Sequence, residues 1–231
     1  MSELPDITAE WLHKKLQIAV SQIHLEVSTN HLDRLVEYLF ELSKWNRTYN
    51  LTAVKGLDAM LSQHLLDCLA VVPAIKQYEK QNGTCFRTIA DVGSGPGLPA
   101  VVLAVCLPER EIISIDAVEK KTTFVSHVSN RLGLVNLSAQ HARVERLKAG
   151  LADLVISRAF ASLAQFVEKA AHLVNSDGVM AAMKSKQLEA ERKSFEGLHT
   201  GWRIDQVDTV EVPQLHATRF LAWLKREVDH E

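Results

Sequence analysis

The sequence predicts an α/β fold in which a mostly parallel β-sheet is covered by helices and preceded by a helical extension. After residue 83, short apolar runs alternate with helical stretches, a pattern typical of parallel strands joined by crossover helices. Before it, apolar residues recur at three- and four-residue spacing, which indicates amphipathic helices. With 231 residues, 47% hydrophobic and 23% charged, the chain can bury one sizeable core.

Residues 1–83 form the predicted helical extension. One apolar series at helical spacing runs from Leu32 to Leu42, and a second runs from Met60 to Leu69. Ser28 stands just before the first series, where its hydroxyl can cap a helix N-terminus. Turn residues at positions 81–84 interrupt the helical pattern, so the boundary is placed after residue 83.

Residues 84–231 form the predicted core, which is one compact unit. Its expected strands are Thr88–Val92, Glu111–Asp116, Leu137–His141, Asp153–Ser157, Val179–Lys184, Ile204–Val212 and Arg219–Lys225. No helical stretch separates the last two strands, so we predict that they pair as an antiparallel hairpin. The expected result is a seven-stranded, mostly parallel sheet.

Charge and cysteine content limit the function classes. The net charge of −2 offers no overall attraction for a polyanion, so any nucleic-acid site must be a local basic patch. The three cysteines lie far apart without metal-ligand spacing, so we expect neither a disulfide framework nor a metal site. The N-terminal segment carries acids and lysines and no long apolar run, which predicts a cytoplasmic protein without a membrane anchor.

The most informative segment is DVGSGPGLP, from Asp91 to Pro99. It follows an apolar strand and enters a helix, and its glycines remove side chains that would keep a ligand away from the backbone. Gly93, Gly95 and Gly97 run G-x-G-x-G after an acidic residue, unlike the G-x-G-x-x-G of dinucleotide-binding loops. This loop favours S-adenosylmethionine (AdoMet) as the ligand, and seven strands ending in a hairpin are typical of Rossmann-like class I methyltransferases.

Two acidic residues follow the next strands. Asp116 ends the second strand, where a carboxylate can accept hydrogen bonds from both ribose hydroxyls of a nucleoside. The alternative is that Asp116 caps the helix that starts near Glu119. Glu145 follows the third strand and would lie beside the adenine, although acidic residues are also common at helix starts. Both are candidate AdoMet contacts.

Four stretches match one known family in the family's own order. They are KWN at 44–46 with YNLTAV at 49–54, HLLD at 64–67, DVGSGPGLP at 91–99 and SRAFAS at 157–162. Through them the chain resembles the ribosomal small-subunit guanine-N7 methyltransferase G family, also called glucose-inhibited division protein B. The stretches span about half of the chain, and single positions also match at Asp116, Lys120, Phe124, Lys184 and Arg219.

The resemblance implies a set of ligand contacts and a reaction. It implies AdoMet contacts at Gly93, Leu98 and Arg158 and through the backbone near Val144 and Glu145. It also implies methylation of one guanine at N7 in 16S ribosomal RNA, with that RNA or the small ribosomal subunit as partner. We expect no DNA or membrane partner.

Two positions depart from the family pattern. Ser185 stands where the family usually has glycine, and Lys121 stands where arginine is commoner. Neither touches the glycine loop, but the first leaves the role of Lys184 open.

The candidate catalytic residue is Arg158, at the carboxyl edge of the fourth strand. A guanidinium there could hold the AdoMet carboxylate in a fork geometry, or grip guanine O6 or a phosphate. The candidate substrate contacts are Asn50, Lys120, Phe160 and Lys184. Phe160 could stack on the target guanine or pack in the core, and Asn50 could instead be a cap or turn residue.

Other side chains have both a functional and a structural interpretation. His64 and Asp67 are three residues apart on one helix face, where they could orient a substrate-side loop or form a structural pair. Lys44 and Arg47, beside Trp45, could grip phosphate and stack bases, or lie on a solvated helix face. Both alternatives stay open for each group.

The expected mechanism needs no general base, because guanine N7 carries an in-plane lone pair and no proton. Catalysis then comes mainly from alignment of the reactants, an effect worth up to about 7–11 kcal/mol in well-oriented systems. The alternative functions are a small-molecule methyltransferase whose substrate the N-terminal helices enclose, and an AdoMet-binding regulatory module without catalysis.

Overall fold

The computed structural model describes residues 7–185, 188–198, 200–215 and 217–227. Residues 1–6, which belong to the N-terminal segment used to predict localisation, lie outside the described residues. The helices of the extension are α1 Ala9–Gln22, α2 Thr29–Tyr49, α3 Leu57–Met60, a π-helical turn Leu61–Leu65, α4 Leu66–Leu69 and α5 Val71–Asn82. Ser28 caps α2, since its hydroxyl accepts a hydrogen bond from the His31 backbone N–H at 3.3 Å.

Within the described residues, one sheet contains seven strands in the order β3-β2-β1-β4-β5-β7-β6. The strands are β1 Thr88–Val92, β2 Glu111–Asp116, β3 Leu137–His141, β4 Ala152–Ser157, β5 Val174–Lys184, β6 Trp202–Val212 and β7 Ala217–Arg226. β1 to β5 pair in parallel, whereas β7 runs antiparallel to β5 and β6. The prediction of a mostly parallel sheet that ends in a hairpin is confirmed.

Four strands begin earlier than the apolar pattern predicted. β4 starts one residue earlier, at Ala152, and β7 two residues earlier, at Ala217. β5 starts at Val174 rather than at Val179, and its pairing with β4 shifts register near that end. β6 starts at Trp202 rather than at Ile204, again next to a register shift. Polar residues 175–177 and an irregular pairing interrupt the alternation of apolar residues. The sequence pattern therefore marked only the regular part of each strand.

Helices cover both faces of the sheet. The core helices are α6 Ala100–Cys106, α7 Glu119–Arg131, α8 Leu163–Ala170 and α9 Leu188–Glu196, with short 3₁₀ turns at Val144–Arg146 and Ala171–Leu173. The helices of the extension, α6 and α7 share one hydrophobic cluster with one face of the sheet. α8 and α9 cover the other face in a second cluster.

Aromatic stacking joins the extension to the last strands. Tyr78 of α5 lies parallel to Trp223 of β7, with ring centroids 3.8 Å apart at an angle of 15°. The Tyr78 hydroxyl donates to Asp205 Oδ2 at 3.1 Å, and Trp223 Nε1 donates to Asp208 Oδ2 at 2.7 Å. The extension therefore packs on the core sheet, while a domain boundary after residue 83 stays a prediction.

The helical segment Leu57–Asn82 is long and apolar enough to cross a membrane, by length and composition alone. In this fold 67% of its most apolar window is buried inside the protein. Packing against α1, α2 and α6 places these side chains in the core, which accounts for the apolar composition.

Gly97 lies where the glycine loop enters α6, and its φ is +88°. A Cβ at this position would stand 2.7 Å from Val101 Cγ2 and 3.0 Å from Val125 Cγ2, so α6 and α7 pack against bare backbone. We expect Gly97→Ala to lower the free energy of unfolding by about 2–5 kcal/mol, because overpacking and a left-handed backbone each add a penalty. Denaturant unfolding followed by circular dichroism measures the loss.

The matched control is Gly133→Ala. Gly133 has a φ of +63° and no atom within 4 Å of the Cβ position, so this variant carries only the backbone penalty. Equal losses in the two variants would contradict the packing role of Gly97.

Candidate functional site

The glycine loop lies at the carboxyl edge of the sheet, where hydrogen bonds fasten it to β2. The Gly93 N–H donates to the Ile115 carbonyl at 2.9 Å. The Gly95 N–H donates to Asp116 Oδ2 at 2.9 Å, and the Val118 N–H donates to Asp116 Oδ1 at 2.8 Å. Asp116 therefore holds the loop and the start of α7 in a fixed relation.

The glycines of the loop have different surroundings. A Cβ at Gly93 would stand 2.8 Å from Ala159 Cβ, so this glycine permits the close approach of the segment after β4. Gly95 has a φ of +60° and nothing within 4 Å of its Cβ position, which leaves space beside the loop. Gly97 packs against α6 and α7, and Leu98 is buried in the same cluster.

A cavity of about 250 Å³, here called the loop cavity, opens beside the glycine loop. Its wall brings together four of the predicted AdoMet contacts, Gly93, Asp116, Val144 and Glu145. The other four, Gly95, Gly97, Leu98 and Arg158, do not line it. The cavity combines apolar walls with a few polar groups, as small-molecule sites do. Glu145 is exposed at its rim, where its Oε1 lies 3.5 Å from Lys169 Nζ.

A second cavity of about 300 Å³, here called the charged cavity, shares the lining residue Phe160 with the loop cavity. Three cationic and two anionic side chains line it, a formal excess of one positive charge: Arg158, Lys184, Arg219, Asp67 and Glu191. The structure therefore brings the predicted residues Arg158, Phe160 and Lys184 together.

The charged groups of this cavity are paired. Asp67 Oδ1 accepts a hydrogen bond from Arg219 Nε at 2.8 Å, and its Oδ2 lies 3.6 Å from Arg158 NH1. The Asp67 side chain is only 7% exposed. Lys184 Nζ lies 2.9 Å from Glu191 Oε1. Pairing of this kind offsets the free energy of burying the charges.

Phe160 occupies the wall between the two cavities. Its ring lies 5.2 Å from the ring of Phe166, which holds it from the α8 side. Its carbonyl accepts a hydrogen bond from Lys184 Nζ at 3.0 Å. Phe160 is thus partly packed in the core while it lines both cavities, which allows the stacking interpretation as well as the packing one.

Arg158 also contacts His64, which lies in the π-helical turn of the extension. Arg158 NH1 lies 3.5 Å from His64 Nδ1, and His64 Nε2 lies 2.7 Å from Thr52 Oγ1. Because a guanidinium can only donate, Nδ1 must accept and Nε2 carries the proton. Burial and, secondly, the charge of Arg158 lower the pKa of His64 to about 4. The imidazole is therefore neutral near pH 7.

Asp91 lies beneath the glycine loop and is fully buried. Its Oδ2 accepts a hydrogen bond from the Ala100 N–H at 2.9 Å, whereas its Oδ1 is buried without a partner among the described residues. Burial raises the pKa of Asp91 to about 6. A buried acceptor without a partner is unfavourable, so a cationic ligand group at this position would stabilise the carboxylate.

Asn50 and Lys120 do not line either cavity. Asn50 follows α2 at its C-cap position with a φ of +47°, a conformation that asparagine tolerates well. Lys120 Nζ donates to the Tyr49 carbonyl at 2.7 Å, which ties α7 to the end of α2. Lys44 and Arg47 are exposed on the last turns of α2. The substrate contacts of these residues stay predictions.

Two residues of the charged cavity were missed as site residues by the sequence analysis. Glu191 lies on α9, and nothing in its sequence context distinguishes it from a solvated helix acid. Arg219 lies on β7 and was noticed only as a matching position. The three-residue spacing of His64 and Asp67 was the sequence signal that pointed to this cluster. Both side chains contact Arg158.

Comparison with known proteins gives one family. A family model described as rRNA small subunit methyltransferase G matches residues 31–222. A ribosomal RNA small subunit methyltransferase G of Bordetella avium is 42% identical over 228 residues, which cover 98% of both chains. One from Cupriavidus pinatubonensis is 39% identical, covering 93% of this chain and 94% of its own. The similarity therefore includes the helical extension.

Solved structures share the fold at low sequence identity. A ribosomal protein L11 methylase from Lactobacillus delbrueckii subsp. bulgaricus has a TM-score of 0.50 and 16% identity, covering 71% of this chain and 77% of its own. A SAM dependent methyltransferase from Aquifex aeolicus has a TM-score of 0.50 and 16% identity, with coverages of 71% and 91%. The predicted Rossmann-like class I methyltransferase fold, with helices before the sheet, is confirmed.

Asp116→Ala tests the role of the loop cavity. We expect AdoMet binding to weaken by about 10- to 150-fold, because charge-assisted hydrogen bonds to ribose contribute about 1.5–3 kcal/mol. Loss of the acceptor for the Gly95 N–H acts in the same direction. Isothermal titration calorimetry measures the affinity, with Glu119→Ala as an exposed control at the start of α7. Unchanged affinity in a folded Asp116→Ala protein would remove the residue from the ligand site.

Proposed function

The chain belongs to the rRNA small subunit methyltransferase G family, and on this premise we propose that it transfers the methyl group of AdoMet to N7 of one guanine in 16S ribosomal RNA. The observation that carries the proposal is the wall shared by the two cavities at Phe160. A methyl donor in the loop cavity would meet a base in the charged cavity there. The names of the relatives support ribosomal RNA as the substrate class.

The loop cavity suits AdoMet through the groups around it. Asp116, Val144 and Glu145 line this cavity, where Asp116 would accept hydrogen bonds from the ribose hydroxyls and the other two would flank the adenine. The unpartnered Asp91 Oδ1 suits the ammonium group of the methionine part. Bound AdoMet supplies a methyl group that its positively charged sulfur activates for transfer. The glycine loop has open space at the Cβ position of Gly95, which would allow a ligand to approach the backbone there.

The protein's own contribution is alignment rather than proton transfer. Guanine N7 has no proton to remove, and His64 is neutral near pH 7 because its pKa lies at about 4. His64 therefore serves as an acceptor for Arg158, and Asp67 holds the same guanidinium from its other side. We assign to Arg158 the positioning of the reactants, within the range of about 7–11 kcal/mol that alignment can supply.

Phe160 and Lys184 are the proposed substrate-side groups of the shared wall. Phe160 offers a ring on which the guanine can stack, an interaction worth about 1–3 kcal/mol per base. Lys184 acts through Phe160, since its Nζ holds the carbonyl of that residue and is paired with Glu191. Ser185, where the family usually has glycine, also lines the charged cavity.

The RNA partner requires a local positive surface, because the net charge is −2. Lys44, Arg47 and Lys120 supply exposed cations near the end of α2, beside Asn50. We propose that they contact phosphates of 16S RNA or of the small subunit in the cytoplasm. Phosphate contacts would make RNA affinity decrease steeply with salt.

The direct test of the function is mass mapping of methylated guanines in 16S RNA from cells with and without the gene. We expect one 7-methylguanosine to disappear in the deletion and to return when the gene is supplied. Purified protein with tritiated AdoMet should label the RNA or the small subunit of the deletion strain. Absence of any labelled RNA, together with unchanged maps, would leave a small-molecule substrate or a regulatory module.

Arg158→Lys tests the positioning role. The variant retains a positive charge but loses the planar fork of donors, so we expect single-turnover methyl transfer to slow by more than about tenfold. The matched control is Arg131→Lys, at an exposed position where Arg131 pairs with Glu37. A rate within about twofold of wild type, well under the 1.36 kcal/mol of a tenfold change, would exclude Arg158 from the active site.

AdoMet binding should depend on pH through Asp91. With a raised pKa of about 6, the carboxyl group is ionised near pH 7 and becomes protonated as the pH falls through 6. A cationic ligand group prefers the ionised form, so affinity should fall below pH 6 by up to about tenfold per pH unit. Calorimetry between about pH 7 and pH 5 measures this. Asp91→Asn should bind weakly at every pH, and a flat wild-type profile would contradict the contact.

A further inference from the structure

The charged cavity contains hydrogen-bonding groups that the protein itself leaves unused. In the part of the chain that the structure describes, Arg158 is bonded through NH1 alone and Arg219 through Nε and NH1. Glu191 is bonded only through Oε1, which accepts from the Leu163 N–H and pairs with Lys184. Free guanidinium donors therefore lie in the same cavity as one free carboxylate oxygen.

These groups are held in place before any ligand arrives. Asp67 fixes both guanidinium groups at once, since each of its oxygens faces one of them. Glu191 is fastened on one side by the first N–H of α8 and by an ammonium, so its other oxygen is the one available to a ligand. Fixed donors and acceptors of this kind give specificity, because an unmatched partner group remains unsatisfied.

The mixture of donors and acceptors argues against a simple anion site. A phosphate in this cavity would gain from Arg158 and Arg219 but would lie beside the carboxylates of Asp67 and Glu191, which repel it. The formal excess of only one positive charge leaves little net attraction for a doubly charged group. The cavity instead suits a neutral ligand that carries both an acceptor and donors.

Guanine has this combination of groups. Its O6 accepts hydrogen bonds and its 2-amino group donates them, so a guanidinium and a carboxylate together can distinguish it from the other bases. Phe160, Met183 and Leu188 add apolar walls for the faces of the ring. A volume of about 300 Å³ is at the small end of ligand pockets, which fits one base taken out of its stack.

We propose that the charged cavity is the pocket of the target guanine, that Arg158 and Arg219 face O6, and that Glu191 Oε2 accepts a hydrogen bond from the 2-amino group. The proposal rests on the proposed function. It keeps Arg158, already a candidate contact of guanine O6, and adds Arg219 and Glu191 as two further residues that recognise the base. It also gives a role to the carboxylate of Glu191 on α9, which lines the charged cavity together with Phe160.

The experiment compares guanosine with inosine, which lacks the 2-amino group but keeps N7 and O6. Small subunits are reconstituted with 16S RNA that carries either nucleoside at the target position, and single-turnover methyl transfer is measured. We expect wild-type protein to be about 10- to 150-fold slower on inosine, the effect of one lost hydrogen bond to a charged group. Equal rates on the two substrates would overturn the proposal.

Glu191→Gln sharpens the test, because the Leu163 N–H and Lys184 require an acceptor at the Oε1 position. The amide NH₂ must then replace Oε2, where it would meet the 2-amino group donor to donor. We expect transfer to guanosine to fall by about 10- to 150-fold, while transfer to inosine changes by less than about threefold. An equal loss on both substrates would assign Glu191 a structural role and overturn the reading of the 2-amino group.

The control variant is Glu189→Gln, which changes an exposed acid on the same helix and should leave both rates unchanged. Thermal unfolding of all variants reports on folding. If wild-type protein transfers no methyl group to guanosine subunits, the proposed function itself fails. If it does transfer but does not distinguish inosine, only the guanine-reading pocket fails.

Discussion

The carboxylate of Asp116 makes the contacts on which the rest of the site depends. Its two oxygens accept hydrogen bonds from the N–H groups of Gly95 and Val118, and the side chain is only 8% exposed. In such surroundings hydrogen bonds are electrostatically stronger than in water. They fix a loop of bare backbone at the carboxyl edge of the sheet, so that Ala159 can approach Gly93 within contact distance.

The buried ion pairs of the charged cavity add little to the stability of the fold. One buried carboxylate, Asp67, serves two guanidinium groups, and desolvation offsets much of the attraction in such clusters. Well-packed apolar residues would often be as stable, whereas removal of one partner leaves a buried charge uncompensated. Among the described residues, this cluster leaves donors of Arg158 and Arg219 without a protein partner.

The helical extension is part of the site rather than an attachment to it. It supplies His64 and Asp67 from the segment around its π-helical turn, and π-helical turns occur frequently at functional sites. Stacking of Tyr78 on Trp223 holds the same helical segment against the last strands. The extension therefore orients Arg158 from one side while the sheet edge presents it from the other.

The sequence by itself predicted the regular parts of the strands, the glycine loop and Asp116 beside it, because these follow from local patterns. Apolar runs mark the strands. Asp116 follows Gly95, whose N–H donates a hydrogen bond to it, by 21 residues along the chain. It also identified Arg158 and Phe160 through a stretch that matches the family. Only the tertiary structure decided that Arg219 and Glu191 share a cavity with Arg158. Those side chains come from β7 and α9, and ion pairs between distant segments depend on how the sheet is ordered and which helices cover it, which no local pattern records.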